Sequence, residues 1–393
     1  MRSKSVLVIS VLTLSLSAAA AGPAATAVPV AKPIDAANFD PAVRPCEDFY
    51  QYAVGGWVKA NPVPADKSRW GSFEELADRN RAVLKTILEE TSAKTDWPKG
   101  SVKQKVGDFF ASGMDLAAIE KAGTKPLEPW LAKVDALKSN ADLPKLVSEL
   151  HARRLGAGYS FFVAQDQKQA TRYIPMLGQG GLGLPDRDYY LKDDAKSKEI
   201  REKYVAHVAK MLELLGEKPE AAAAKAAVVM DLETKLAKAS RTRVEMRDPE
   251  KNYNKRTLAQ LVEAAPGYDW KAYLAAMGVP DGQELNVRQP EFATAFAAMA
   301  ASEPLDSWKT YFRWHVLRAS ASMLPKRFDE ESFAFFGRTL NGVPEQEERW
   351  KRVQAATDGA LGEALGQLYV EKAFSPKSKE RMKALVENLR AAL

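Results

Sequence analysis

The stretch DFYQYAVGGWVKANPVPADKSRWGSF, residues 48–73, holds six aromatic side chains, a Gly-Gly pair and one arginine, Arg69, next to Trp70. An arginine near the start of a helix can clamp a carboxylate through two parallel N–H groups. It can equally stack on an aromatic ring such as Trp70 or Tyr52. Chemistry alone favours the stacking interpretation, because arginine–aromatic stacks are common in folded proteins. Residues outside this stretch are therefore needed to assign a role to Arg69.

Downstream of this stretch, apolar residues recur at helical spacing. The pattern predicts a helix over residues 73–90, opened by a capping box of Ser72 and Glu75, and another helix over residues 101–119. Further helices are predicted at residues 142–155, 195–215, 219–239, 305–323 and 345–371. Residues 159–179 contain two strand-like runs around a polar turn, which predicts a small β-hairpin. The predicted fold class is mainly α: a large multi-helix domain with a small hairpin.

The start of the chain is typical of an export signal. Two basic residues precede an apolar run and a series of small residues, so we interpret residues 1–21 as a signal peptide. The proline-rich residues 22–40 are predicted to be a linker, and residues 41–393 the folded domain. We expect the protein to be exported, to the periplasm or beyond the cell, with no membrane span after signal cleavage.

Charge and cysteine content narrow the possible functions. The net charge is +6, with lysines spread along helix-like segments instead of clustered among aromatic residues. This pattern is typical of a solvated surface, so no nucleic-acid partner is predicted. The chain has one cysteine, Cys46. In an exported protein it either stays reduced or pairs with a cysteine outside the given sequence.

Motif searches find no catalytic or metal-binding residues. None of the three histidines is followed by glutamate, so the zinc motif HExxH is absent. Gly178, Gly180 and Gly183 spell GxGxxG, but Pro185 follows where a nucleotide-binding helix would begin. We therefore predict a structural loop there. No GxSxG nucleophile motif is present either.

Several motifs, taken in order, do point to a family. CEDFYQYAVGGWVKANPVPADKSRWGSFEELADRN closely resembles the start of the extracellular part of the neprilysin family of zinc metallopeptidases. The motifs GDFFASGMD, GGLGLPDRDYYL, RDPEKNYNKRTLAQL, FFGRTLNG and GEALGQLYVEKAF also look like that family, and they follow in the family's order. The resemblance covers residues 41–393 and is to the N-terminal helical portion.

This resemblance implies a helical domain that forms a lid over the chamber of a thermolysin-like catalytic domain. In the complete enzyme, HExxH and a downstream glutamate would hold zinc, and water activated there would attack short peptides. Those ligands belong to the C-terminal half, so we expect the catalytic domain to be missing from this chain. The chain alone is expected to bind no zinc and to be inactive. The alternative is a stand-alone, non-catalytic, exported helical binding module.

The resemblance also assigns roles to individual residues. Arg69 falls where the family has an arginine that reaches the carboxylate end of a bound peptide, which predicts substrate binding. A second family arginine falls at Ala77, and nearby Arg79 would point off another helical face, so that role is not carried over. Cys46 stands where members with disulfides have a cysteine paired to the far C-terminal region.

Overall fold

The computed structural model describes residues 34–393, so the predicted signal peptide and the first part of the linker lie outside the described residues. The described residues form two compact units, 34–62 and 63–393. The helices are α1 Phe49–Ala60, α2 Ser72–Ala93, α3 Val102–Met114, α4 Leu116–Ala122, α5 Glu128–Asp135, α6 Leu143–Ala152, α7 Asp188–Leu191, α8 Ala195–Leu214, α9 Pro219–Ala239, α10 Leu258–Ala264, α11 Trp270–Ala276, α12 Pro290–Ser302, α13 Leu305–Ser320, α14 Lys326–Ser332, α15 Arg349–Ala373 and α16 Pro376–Ala392. The strands are β1 Ser160–Asp166, β2 Gln169–Gly178, β3 Lys255–Arg256 and β4 Leu285–Val287. The predicted mainly α class is confirmed.

The first unit shows why its chain contains the Gly-Gly pair. Helix α1 begins at an Asp48 cap and passes close to the preceding backbone. A Cβ on Gly56 would lie 2.4 Å from the carbonyl oxygen of Ala37, closer than real atoms approach. Asp40 accepts a 2.7 Å hydrogen bond from Lys59 at the far end of the helix. The glycine is therefore required by a close approach of helix and loop.

The predicted hairpin is confirmed, and it belongs to a slightly larger sheet. Strands β1 and β2 pair antiparallel, with Ser160 opposite Gly178. Two very short strands extend the sheet in the order β1-β2-β4-β3, and β2 and β4 run parallel. Strands of two or three residues are too short for a period to show in the sequence.

Two local predictions were wrong. Gly71 is the N-cap of α2 and no side chain caps that end, so Ser72 and Glu75 form no capping box. Glu75 instead lies in the first helical turn, where an acidic side chain interacts favourably with the positive end of the helix dipole. The helix predicted over residues 101–119 is two helices, because the Asp115 side chain accepts from the N–H of Ala118 and starts α4.

The second unit contains two apolar cores. The larger one is rich in buried aromatic side chains from the helices that follow α7. The smaller one joins α2, α3 and α15 through a small set of buried side chains: Ile87, Leu88, Val106, Phe110, Val353, Leu365 and Leu368. This smaller core fixes α2, and therefore the chain segment just before α2 that carries Arg69.

No helix within residues 34–393 is both long and apolar enough to cross a membrane.

Candidate functional site

Arg69 lies in residues 63–71, which we call the arginine loop. The loop leads directly into α2, and its end is marked by the extended N-cap Gly71. Inside the loop, the N–H of Lys67 donates to the carbonyl of Pro64 over 3.0 Å, which closes a turn. The arginine loop is therefore a defined structure and not a free connection.

Two lysines fasten the arginine loop to the helices beside it. Lys67 Nζ lies 3.2 Å from Asp78 Oδ1 on α2 and 3.0 Å from Glu347 Oε1 just before α15. Lys351 Nζ on α15 lies 2.8 Å from Asp66 Oδ2 in the loop. All of these side chains are at most about one-third exposed, so water screens the pairs only in part.

Two carboxyl groups in these pairs, those of Asp66 and Glu347, have a lowered pKa. The hydrogen bond from Lys351 lowers the pKa of the Asp66 carboxyl below its usual value. Burial raises the pKa of Glu347, but hydrogen bonds from Arg81 and Lys67 outweigh it, and the net shift is downward. Both carboxylates therefore stay ionised near neutral pH, and they keep the arginine loop attached to the helices beside it.

Arg69 itself points into solvent. Its side chain is 83% exposed, and its Nε donates to Glu74 Oε1 over 2.6 Å. Neither terminal guanidinium nitrogen donates to any residue in the range 34–393. The stack on Trp70 that the sequence left open is not formed. Glu74 fixes one edge of the guanidinium, and the Nη1–Nη2 edge keeps two parallel N–H groups for a carboxylate.

The two positions considered beside Arg69 behave differently. Ala77 is exposed on α2 and carries no polar group. Arg79 lies 3.7 Å from Glu75 on the same helix, so it is paired within α2. Sequence reasoning missed the lysines and Glu347, because partners some 280 positions apart leave no local signal.

The described residues do not fit a zinc site. Within residues 34–393, no group of three or more histidine, cysteine, aspartate or glutamate side chains could hold a metal ion. Each histidine is bonded elsewhere: His151 to Tyr273, His207 to Glu331 and His315 to Glu233. The thiol of Cys46 is exposed and unpaired in this part of the chain.

Comparison with known proteins finds similar sequences over most of the chain. The N-terminal model of peptidase family M13 matches residues 45–393. Endothelin-converting enzyme 1 of Rattus norvegicus is 29% identical over 371 residues, which cover 90% of this chain and 47% of the rat protein. An endothelin-converting enzyme homolog of Locusta migratoria is 28% identical over 373 residues, or 90% of this chain and 51% of that protein. The chain thus spans about half the length of the curated relatives it matches.

Solved structures of other proteins also match the fold of this chain. The crystal structure of the Mycobacterium tuberculosis zinc metalloprotease Zmp1 in complex with an inhibitor matches with a TM-score of 0.85 at 35% identity, covering 91% of this chain and 54% of that one. PepO from Lactobacillus rhamnosis matches with a TM-score of 0.73 at 20% identity, covering 89% and 55%, which shows a shared fold.

Proposed function

The chain belongs to peptidase family M13, and we propose that it forms the substrate-facing N-terminal portion of an exported zinc metallopeptidase. Members of this family act on peptides and have a C-terminal catalytic domain. The proposal rests above all on the match of the family model from residue 45 to residue 393. Export is supported by the basic, apolar and small-residue pattern of residues 1–21.

We assign zinc and the hydrolytic step to the catalytic domain of the complete enzyme, since the described residues offer no fitting ligand set. The role of this chain is then to close the chamber as a lid and to admit short peptides. An exposed apolar stripe on α16 supports packing against a further domain. Its side chains are 44–57% exposed and recur at helical spacing: Met382, Leu385, Val386 and Leu389.

Within this function, Arg69 binds the C-terminal carboxylate of the peptide. The free Nη1–Nη2 edge offers a bidentate contact, and the anchored arginine loop holds it in place with little further loss of entropy on binding. A charged hydrogen bond of this kind contributes about 1.5–3 kcal/mol, or roughly a tenfold to hundredfold effect on affinity.

The test uses the complete enzyme and two matched peptides, one with a free C-terminal carboxylate and one with a C-terminal amide. We expect Arg69→Ala to lower kcat/KM for the free acid by about tenfold or more, mainly through KM, and to leave the amide nearly unchanged. Arg69→Lys keeps the charge without the fork and should fall in between.

Arg172→Ala is the matched control, because Arg172 is exposed on β2 and makes only a 3.3 Å contact with Gln169. It should affect neither peptide. Equal losses on both peptides with Arg69→Ala, or no loss on either, would rule out carboxylate binding by Arg69.

A further inference from the structure

A pocket lies in the larger unit, between two loops. One wall is residues 179–187, which we call the glycine loop, and the other is residues 240–247, which we call the basic loop. The pocket has a volume of about 470 Å³. That is within the usual size range of small-ligand sites and larger than one isolated ion requires.

The pocket carries an excess of positive charge. Its walls include four arginines and a single carboxylate, that of Asp186: Arg187, Arg241, Arg243 and Arg247. Glu291 neutralises Arg241 through a paired contact, 3.0 Å from Nη2 to Oε2. Arg187 is fixed by a 2.7 Å hydrogen bond from Nη1 to the carbonyl of Ser240. Both of these guanidinium groups are therefore held in position.

The remaining two arginines are available. Arg243 Nη1 lies 3.7 Å from Asp186 Oδ2, and its side chain is 73% exposed, so this contact is weak. Arg247 is exposed and makes no ion pair or side-chain hydrogen bond with any residue of the range 34–393. Arg243 and Arg247 together outnumber the single carboxylate of Asp186, so the mouth of the pocket keeps net positive charge.

The glycine loop is a rigid wall. The hydroxyl of Tyr190 accepts from the N–H groups of Gly183 and Leu184 at 3.1 and 2.8 Å, and it donates to buried Glu233 over 2.7 Å. The Tyr311 hydroxyl donates to the carbonyl of Gly181 over 2.7 Å. These bonds from the core hold the loop in one conformation before any ligand arrives.

Three residues that line the pocket on this side have backbone N–H groups without a protein acceptor among residues 34–393. The backbone N–H groups of Gly180, Gly181 and Leu182 donate to no acceptor within the described part of the chain. A Cβ on Gly181 would lie 2.5 Å from the Tyr311 hydroxyl, and φ there is +75°, so only glycine keeps this geometry. Successive free N–H groups beside guanidinium groups form the kind of surface that oxyanions bind.

We propose that this pocket is an oxyanion site that binds a carboxylate- or phosphate-bearing ligand. Arg243 and Arg247 supply the charge, and the glycine loop supplies fixed N–H donors. The inference is independent of peptidase activity and of Arg69, because none of the groups involved belongs to the arginine loop.

Isothermal titration calorimetry on the full 393-residue chain at low salt tests this proposal. The probes are inorganic phosphate, a capped triglutamate peptide and a capped triglutamine peptide as the neutral control. We expect phosphate or triglutamate to bind while triglutamine does not. Binding of phosphate but not of triglutamate would identify a phosphate-bearing ligand. Binding of triglutamate but not of phosphate would identify a carboxylate-bearing ligand.

Arg247→Ala should weaken binding of the active probe by about tenfold or more. Its thermal unfolding should match that of the parent, because the side chain is exposed. Arg172→Ala removes the same charge from β2 and should bind like the parent. The proposal is overturned if neither anionic probe binds at millimolar concentration, or if Arg247→Ala and Arg172→Ala bind equally well.

Discussion

Glu233 on α9 is a carboxylate with no exposed surface. It accepts hydrogen bonds from the hydroxyls of Tyr190 and Tyr204 at 2.7 and 2.9 Å, and its Oε1 lies 3.0 Å from Nε2 of His315. A buried acidic side chain is tolerated only when its oxygen atoms take part in hydrogen bonds in this way. The same side chain thus joins α7, α8, α9 and α13.

Glu233→Ala should lower the free energy of unfolding by about 3–5 kcal/mol, because it leaves buried partners without an acceptor. Urea unfolding followed by circular dichroism measures this change. Glu263→Ala, at an exposed position of α10, is the control and should change it by less than about 0.5 kcal/mol. Similar losses from both substitutions would show that the Glu233 network contributes nothing special.

His151 makes stability depend on pH. Its Nε2 contacts the carbonyl of Ala157 at 3.0 Å, so this nitrogen donates, and Nδ1 accepts from the Tyr273 hydroxyl over 2.7 Å. Burial lowers the pKa of His151 below its usual value. Burial also lowers the pKa of His315. Both histidines therefore fold in the neutral form.

The unfolded chain binds these protons more readily than the folded chain does. The stability contributed by the two neutral histidines is therefore fully present above about pH 6.5. It is lost as the pH drops below that value, by at most about 1.4 kcal/mol per pH unit for each histidine. His151→Gln should make this slope shallower in urea titrations between about pH 6.5 and pH 5. An unchanged slope would contradict the assignment to His151.

Among the secondary-structure elements, the starts of the long helices α8 and α9 could be predicted from the sequence because each of the two carries its own start signal. Asp194 caps α8 through the N–H of Ser197, and Pro219 opens α9. These helices start where predicted, at residues 195 and 219, and α9 also ends as predicted, at residue 239. The split at Asp115 and the short strands β3 and β4 could not be predicted, since tertiary pairing decides them.

Gly107 has a packing role that its sequence motif alone does not reveal. It belongs to GDFFASGMD in α3, where a Cβ would lie 2.4 Å from the carbonyl oxygen of Thr91 on α2. The close approach of α2 and α3 that supports the arginine loop requires glycine here.

Gly107→Ala should therefore destabilise the protein by more than about 1 kcal/mol, despite the better helix propensity of alanine. Gly366→Ala in α15 is the matched control, since nothing lies within 4 Å of the added atom. It should stabilise by about 0.5–1 kcal/mol. Thermal unfolding measures both changes, and a gain in stability from Gly107→Ala would contradict the close contact.

At the scale of the whole molecule, the sequence predicted the helical fold and, through ordered motifs, the family. It pointed to Arg69 only by resemblance. The anchors of the arginine loop, Lys67 with Glu347 and Asp66 with Lys351, join segments that are far apart in the chain. The basic loop and the glycine loop likewise meet only in the folded unit. Such pairings follow from packing, which a single sequence does not encode locally.

We infer that this chain is the non-catalytic, substrate-facing portion of a zinc peptidase. The most direct measurement is hydrolysis of a short peptide, with and without a zinc chelator, by the complete natural gene product and by the 393-residue chain alone. We expect that the complete product cleaves the peptide, that the chelator abolishes cleavage and added zinc restores it, and that the 393-residue chain does not cleave. Chelator-sensitive cleavage by the 393-residue chain alone, or no zinc-dependent cleavage by the complete product, would contradict this inference.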